Sequence, residues 1–197
     1  MVGRTEALEL RQTQLQTYVG FTSFMTVVTT FFTGLLLTQI KNYDISIKVP
    51  IAFLLISMFG FLYATLIYTN GSDEIARGKV KTARKHLLMG DVLSEYIGVY
   101  LLVLSIPLVM NAITGDGFLR IVSLVASLGG FALYQFSHLS IIEKHFKRQY
   151  EKISAALIIL GLLVFSSQTY EFYFVELSII LMILILSIAY YATKKDY

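Results

Sequence analysis

Residues 90–110 read GDVLSEYIGVYLLVLSIPLVM, and the fold turns on how they are read. From Val92 the run continues to Ile113 with one carboxylate, Glu95, and no lysine or arginine. That is about the length of helix needed to cross roughly 30 Å of hydrocarbon, and far longer than an ordinary strand. Five further apolar runs lie at about 17–40, 49–69, 118–139, 153–168 and 173–193. Turn-like KNYD, TNGSDE, TGDG and SSQTYE fall between them. The expected fold is therefore all-α: a polytopic membrane protein of six transmembrane helices, with residues 1–197 forming a single integral membrane domain.

Composition agrees. Hydrophobic residues make up 56% of the 197 positions, above the roughly 45–50% of soluble domains, and the mean hydropathy is +0.69. Six crossings leave little chain for a soluble domain. Cysteine is absent, which removes disulfides, thiolate nucleophiles and Cys-ligated metal centres. Tryptophan is absent too, so interfacial aromatics must come from tyrosines such as Tyr18, Tyr43, Tyr68, Tyr170 and Tyr190. The opening residues MVGRTEALELRQTQLQ are charged and lack the short apolar core of a removable signal peptide; the first crossing is expected to serve as the insertion signal.

Loop charge sets the orientation, because cytoplasmic flanks are enriched in lysine and arginine. Arg4 and Arg11 precede the first run. Arg77, Lys79, Lys81, Arg84 and Lys85 follow the second, Lys144, Lys147, Arg148 and Lys152 follow the fourth, and Lys194 and Lys195 follow the sixth. These are thirteen of the sixteen basic residues; Lys41, Lys48 and Arg120 belong to the other side. Both termini are expected in the cytoplasm and the chain in the plasma membrane. The +3 net charge then follows from topology and gives no reason to expect nucleic acid.

Both basic loops are expected to be helical extensions on the cytoplasmic side. Asn70-Gly71 reads as a turn, with Ser72 capping a helix whose first turn holds Asp73 and Glu74 and which continues into the third crossing. HLSIIEKHFKRQYEK, without Gly or Pro, is expected to carry helix between the fourth and fifth crossings.

Polar residues fall on particular faces. At 100° per residue, Thr22, Thr26, Thr29 and Thr33 lie within about 60° of one another, opposite Gly20, Phe24, Val27 and Phe31. The structural account is close helix packing, with each hydroxyl bonded to its own helix; the functional account is a hydrated path in which hydroxyls replace part of an ion's water shell.

In the third crossing Asp91, Ser94, Glu95, Gly98, Leu102 and Ser105 share a face, with Leu93, Tyr96 and Tyr100 opposite. Glu95 lies about 6 Å deeper than Asp91, and an ionised acid facing lipid is costly, so it should turn to a partner, a cavity or a cation. The fourth crossing aligns Ser123, Ser127, Gly130, Tyr134, Ser137 and His138, and its antiparallel course returns His138 to the level of Asp91 and Glu95. Two carboxylates and an imidazole suit a divalent ion or a proton relay; the blander alternative is an interfacial histidine. The first, third and fourth helices are expected to form the interior. The last, with almost no polar face, is expected at the lipid-facing periphery.

No GxGxxG, Walker, HExxH or GxSxG motif is present, and no cofactor is expected. The leading functional expectation is membrane transport by a cation channel, not an enzyme, working as a homo-oligomer in the lipid bilayer with an inorganic ion as its cargo. Its path is lined by Thr22, Thr26, Thr29, Thr33, Asp91, Ser94, Glu95 and His138. A non-transporting scaffold or sensor, whose basic helices bind a partner or anionic lipid, is the second reading. A lipid-modifying enzyme built on Asp91, Glu95 and His138 is the third.

Overall fold

The computed structural model describes residues 2–38, 44–136, 146 and 149–195, with side chains for 12–38, 44–136, 146 and 149–194. Among these residues six helices are long and apolar enough to cross a membrane. They are α1 (Val2–Thr38), α2 (Ile45–Ala76), α3 (Val80–Ile113), α4 (Gly117–Phe136), α5 (Tyr150–Tyr170) and α6 (Phe174–Lys195). Most of the helix expected between the fourth and fifth crossings lies outside the described residues.

The first tight turn after α2 is displaced from its expected place. Asn70, Gly71 and Ser72 are helical, and α2 runs on to Ala76. Gly71 is buried against α1 and α3: a Cβ there would lie 3.0 Å from the His86 Cβ and 3.5 Å from Leu15. The glycine permits close approach within a helix instead of ending one. The chain turns at Gly78, whose φ of +75° suits a residue without Cβ, and Gly78 N and Lys79 N donate to the carbonyls of Ile75 and Glu74. Asp73 and Glu74 thus close α2 instead of opening α3, and Glu74 faces Arg77 and Lys79 at 3.8 and 3.6 Å.

At the other end of α2, Asp44 is the N-cap. The Ser46 hydroxyl and amide both donate to its carboxylate and hold its pKa below the ordinary value.

Two of the helices are interrupted internally. α3 is α-helical over Val80–Val92, π-helical over Leu93–Val99 and α-helical again over Tyr100–Ile113. α4 likewise carries a π-helical stretch at Val125–Gly129. Such segments are rare and concentrate at functional sites.

α2 and α3 form the centre, which corrects the expected trio of first, third and fourth helices. Half of the most apolar stretch of α3 is buried but only 11% of that of α4. Their backbones meet where Gly60 crosses Gly98: a Cβ on Gly60 would stand 2.8 Å from the Gly98 nitrogen, and one on Gly98 would stand 2.7 Å from the Phe61 ring. Lipid offers helices no hydrophobic drive to associate, so this contact relies on dispersion between closely fitted surfaces. α1 packs chiefly along α2 and turns Phe24, Val27 and Phe31 outward.

α6 is not peripheral either. Leu181, Ile185, Ile188, Ala189 and Ala192 are buried in the main core, while Ile179, Ile180 and Ile183 face outward. A helix apolar all round carries no signal in its sequence for which side will be covered.

Candidate functional site

The π-helical segment of α3 holds Glu95 in its first turn, and Asp91 lies two residues before it, in the last turn of the preceding α-helical part. In an α-helix Tyr100 would sit five residues and about 140° from Glu95, on the opposite face. Here Tyr100 N donates to the Glu95 carbonyl, an i→i+5 bond that brings the two onto one side. The Tyr100 hydroxyl accordingly donates to Glu95 Oε1 at 3.3 Å, which corrects the expected separation of these residues. From α4 the Tyr134 hydroxyl donates to Glu95 Oε2 at 3.0 Å. Each carboxylate oxygen therefore accepts from one phenol.

Behind Glu95 the chain of polar groups continues. Gln135 Nε2 donates to the Tyr100 oxygen at 2.6 Å, and the Ser154 hydroxyl of α5 donates to Gln135 Oε1 at 3.3 Å. Tyr100, Gln135 and Ser154 are fully buried. The π geometry concealed Tyr100, and Ser154 could have been found from its seven-residue spacing with Gly161 and Gln168, which share its buried face of α5.

Asp91 has a parallel arrangement on the α2 side. The Tyr68 hydroxyl donates to Asp91 Oδ1 at 2.6 Å and lies 3.3 Å from the Ser94 Oγ. The Tyr68 ring, itself buried, rests over Gly90, where a Cβ would come within 2.4 Å of it. Asp91 is thus more deeply engaged than an ordinary interfacial acid. Asp91, Ser94 and Glu95 are all half-buried.

The threonine stripe runs along α1. Thr22, Thr29 and Thr33 are buried and Thr26 is half-buried, on the helix that packs along α2. Thr22, Thr26 and Thr29 donate to the carbonyls of Tyr18, Thr22 and Met25, each at 2.8 Å, and Thr65 of α2 donates to the Thr22 oxygen at 2.8 Å. Thr33 Oγ1 has no hydrogen-bond partner among the described residues. At its N-terminal end the stripe adjoins the Asp91 group, since the Tyr18 ring lies 5.3 Å from that of Tyr68, which donates to Asp91. His138 lies outside the described residues, and among the described residues no group of three metal-ligating side chains occurs.

At the far end of α3, about 30 Å from Asp91 along the axis, a third polar group joins three helices. Asn111 Nδ2 donates to Gln168 Oε1 at 2.9 Å, and Gln168 Nε2 donates to the carbonyls of Ser46 and Leu108 at 2.7 and 2.9 Å. Leu101, Leu104 and Leu108 pack the stretch between this group and the carboxylates. Beside Tyr134 a groove of about 410 Å³ runs between α3 and α4, lined in part by Val99, Val103, Ser127 and Phe131.

Compared with family models, curated proteins and solved structures, the chain matches none. Its function has to be argued from the site alone.

Proposed function

We propose that the chain is a cation transport protein of the cell membrane, a channel with both termini in the cytoplasm, whose cation site is the Asp91–Glu95 face of α3. The observation that carries this reading is the setting of Glu95: a carboxylate within a membrane-spanning π-helix, held by one phenol from its own helix and one from α4. Acids at such positions mark ion and proton paths, because their cost in the bilayer is met only by a partner, water or a cation. Asp91, one turn away, adds a second negative charge toward the same membrane face. Thirteen of sixteen basic residues on that side support its being cytoplasmic.

A homo-oligomer belongs to the same proposal. The leucines of α3 fill the interior of one chain, so a continuous path needs either separation of α3 from its neighbours or an axis between copies. The threonines of α1 favour a different reading of that helix, since hydroxyls bonded to their own carbonyls act as packing residues. The path is therefore assigned to α3 and α4, and α1 to support.

Purified protein in vesicles tests this. Wild-type vesicles should dissipate an imposed potassium, sodium, calcium or proton gradient faster than protein-free vesicles. Absence of flux for all four would favour a non-transporting scaffold.

A further inference from the structure

At the turn between α2 and α3 a pocket of about 400 Å³ opens, bounded by Gln14 and Leu15 of α1, Ile75 of α2, and Ala83, Arg84 and Leu87 of α3. Its depth is fixed by the apolar runs that flank it. Leu15 precedes the first run by two residues, Ile75 follows the second by six, and Leu87 precedes the third by five. At 1.5 Å per residue these displacements place the pocket about 3 to 9 Å beyond the hydrocarbon, at the level of lipid headgroups.

Its chemistry is divided. Leu15, Ile75 and Ala83 are buried members of one apolar cluster, with Leu87 packed against it. Arg84, in the same wall, is exposed and has no ion-pair partner among the described residues; Arg77 and Lys79 are turned to Glu74. Across the pocket the Gln14 amide donates one N–H to Tyr18 and keeps a second. Lys81 stands exposed one turn before Arg84.

We propose that this pocket binds the headgroup of an anionic phospholipid, with the Arg84 guanidinium and the Gln14 amide on the phosphate and the first methylenes against Leu15, Ile75 and Leu87. A guanidinium presents paired donors that match phosphate oxygens, and a basic pocket between transmembrane helices at the membrane surface has the charge to select anionic over zwitterionic lipid. The apolar floor distinguishes a lipid from a soluble phosphate, which would leave it uncovered. The proposal is independent of cation transport.

Native mass spectrometry of the detergent-purified full chain tests it, with palmitoyl-oleoyl phosphatidylglycerol and phosphatidylcholine supplied at equal concentration. One phosphatidylglycerol should be retained per chain, in about tenfold preference over phosphatidylcholine. Arg84→Gln should abolish that preference, Arg84→Lys should keep part of it, and Leu87→Trp should displace the lipid by filling the floor. Arg84 is exposed, so its variants keep the fold, and a matching thermal midpoint checks this. Equal retention of the two lipids by wild type, an unchanged preference in Arg84→Gln, or full displacement by glycerol 1-phosphate would each overturn the proposal.

Discussion

Gln168 Nε2 of α5 donates to the Ser46 carbonyl of α2, 2.7 Å away, at a position where Pro50 removes the amide that would otherwise reach it. A side chain 122 residues distant in sequence replaces a missing helix bond, and the same nitrogen holds Leu108 of α3. Gln168→Leu should therefore lower stability in detergent by about 1–3 kcal/mol, as expected when buried acceptors lose a donor. Adding Pro50→Ala restores an amide to Ser46 and should recover part of the loss. A double-mutant cycle from thermal or denaturant unfolding reads that coupling; strictly additive losses would mean that Gln168 does not serve the proline gap.

The crossing of Gly60 over Gly98 gives a graded set. Gly60→Ala drives a methyl against backbone and should cost about 1–3 kcal/mol. Gly98→Ala meets the Phe61 ring, itself fully buried, and should cost a similar amount. Gly20→Ala and Gly34→Ala meet no atom within 4 Å and should be neutral or stabilising. Thermal midpoints of the four variants check the order.

Phenol removal separates hydrogen bonding from packing around the acids. Tyr68→Phe keeps the ring over Gly90 but takes the donor from Asp91, and Tyr134→Phe takes one from Glu95. Each should cost about 1–3 kcal/mol. Tyr100→Phe should cost at least as much, since it removes a donor to Glu95 and the acceptor of Gln135 Nε2 together. Unfolding of purified variants decides, and no loss in any of the three would mean that the carboxylates do not depend on these phenols.

Orientation can be read by labelling, because the natural chain has no cysteine. Single cysteines at Lys81 and Lys194 should react only from the cytoplasmic side and one at Asp116 only from outside. Cytoplasmic labelling at position 116 would reverse the proposed arrangement.

The six helices were legible because each contains a long apolar run, and bilayer thickness sets that length whatever the tertiary contacts. The outward face of α1 was legible for the same kind of reason: Phe24, Val27 and Phe31 recur at helical spacing. What the sequence concealed depends on contacts between helices. Asn70-Gly71 has the composition of a turn, yet Gly71 is needed for the approach of α1 and α3, and that contact keeps the helix intact. Tyr100 was placed opposite Glu95 because a 100° step was carried through residues that wind as a π-helix. α6 offered no polar face from which its buried side could be inferred. Glu95 itself stood out, since a carboxylate inside an apolar run is conspicuous without any knowledge of packing.

The most direct measurement is cation flux into vesicles carrying wild type or Glu95→Gln at matched protein content and thermal stability. Glutamine keeps the size and the acceptor for one phenol but removes the charge. If the Asp91–Glu95 face is the cation site, Glu95→Gln should lower cation flux or change its ion selectivity by about tenfold or more, with a smaller effect from Asp91→Asn nearer the membrane surface. A stable Glu95→Gln protein with wild-type flux and selectivity would contradict the account.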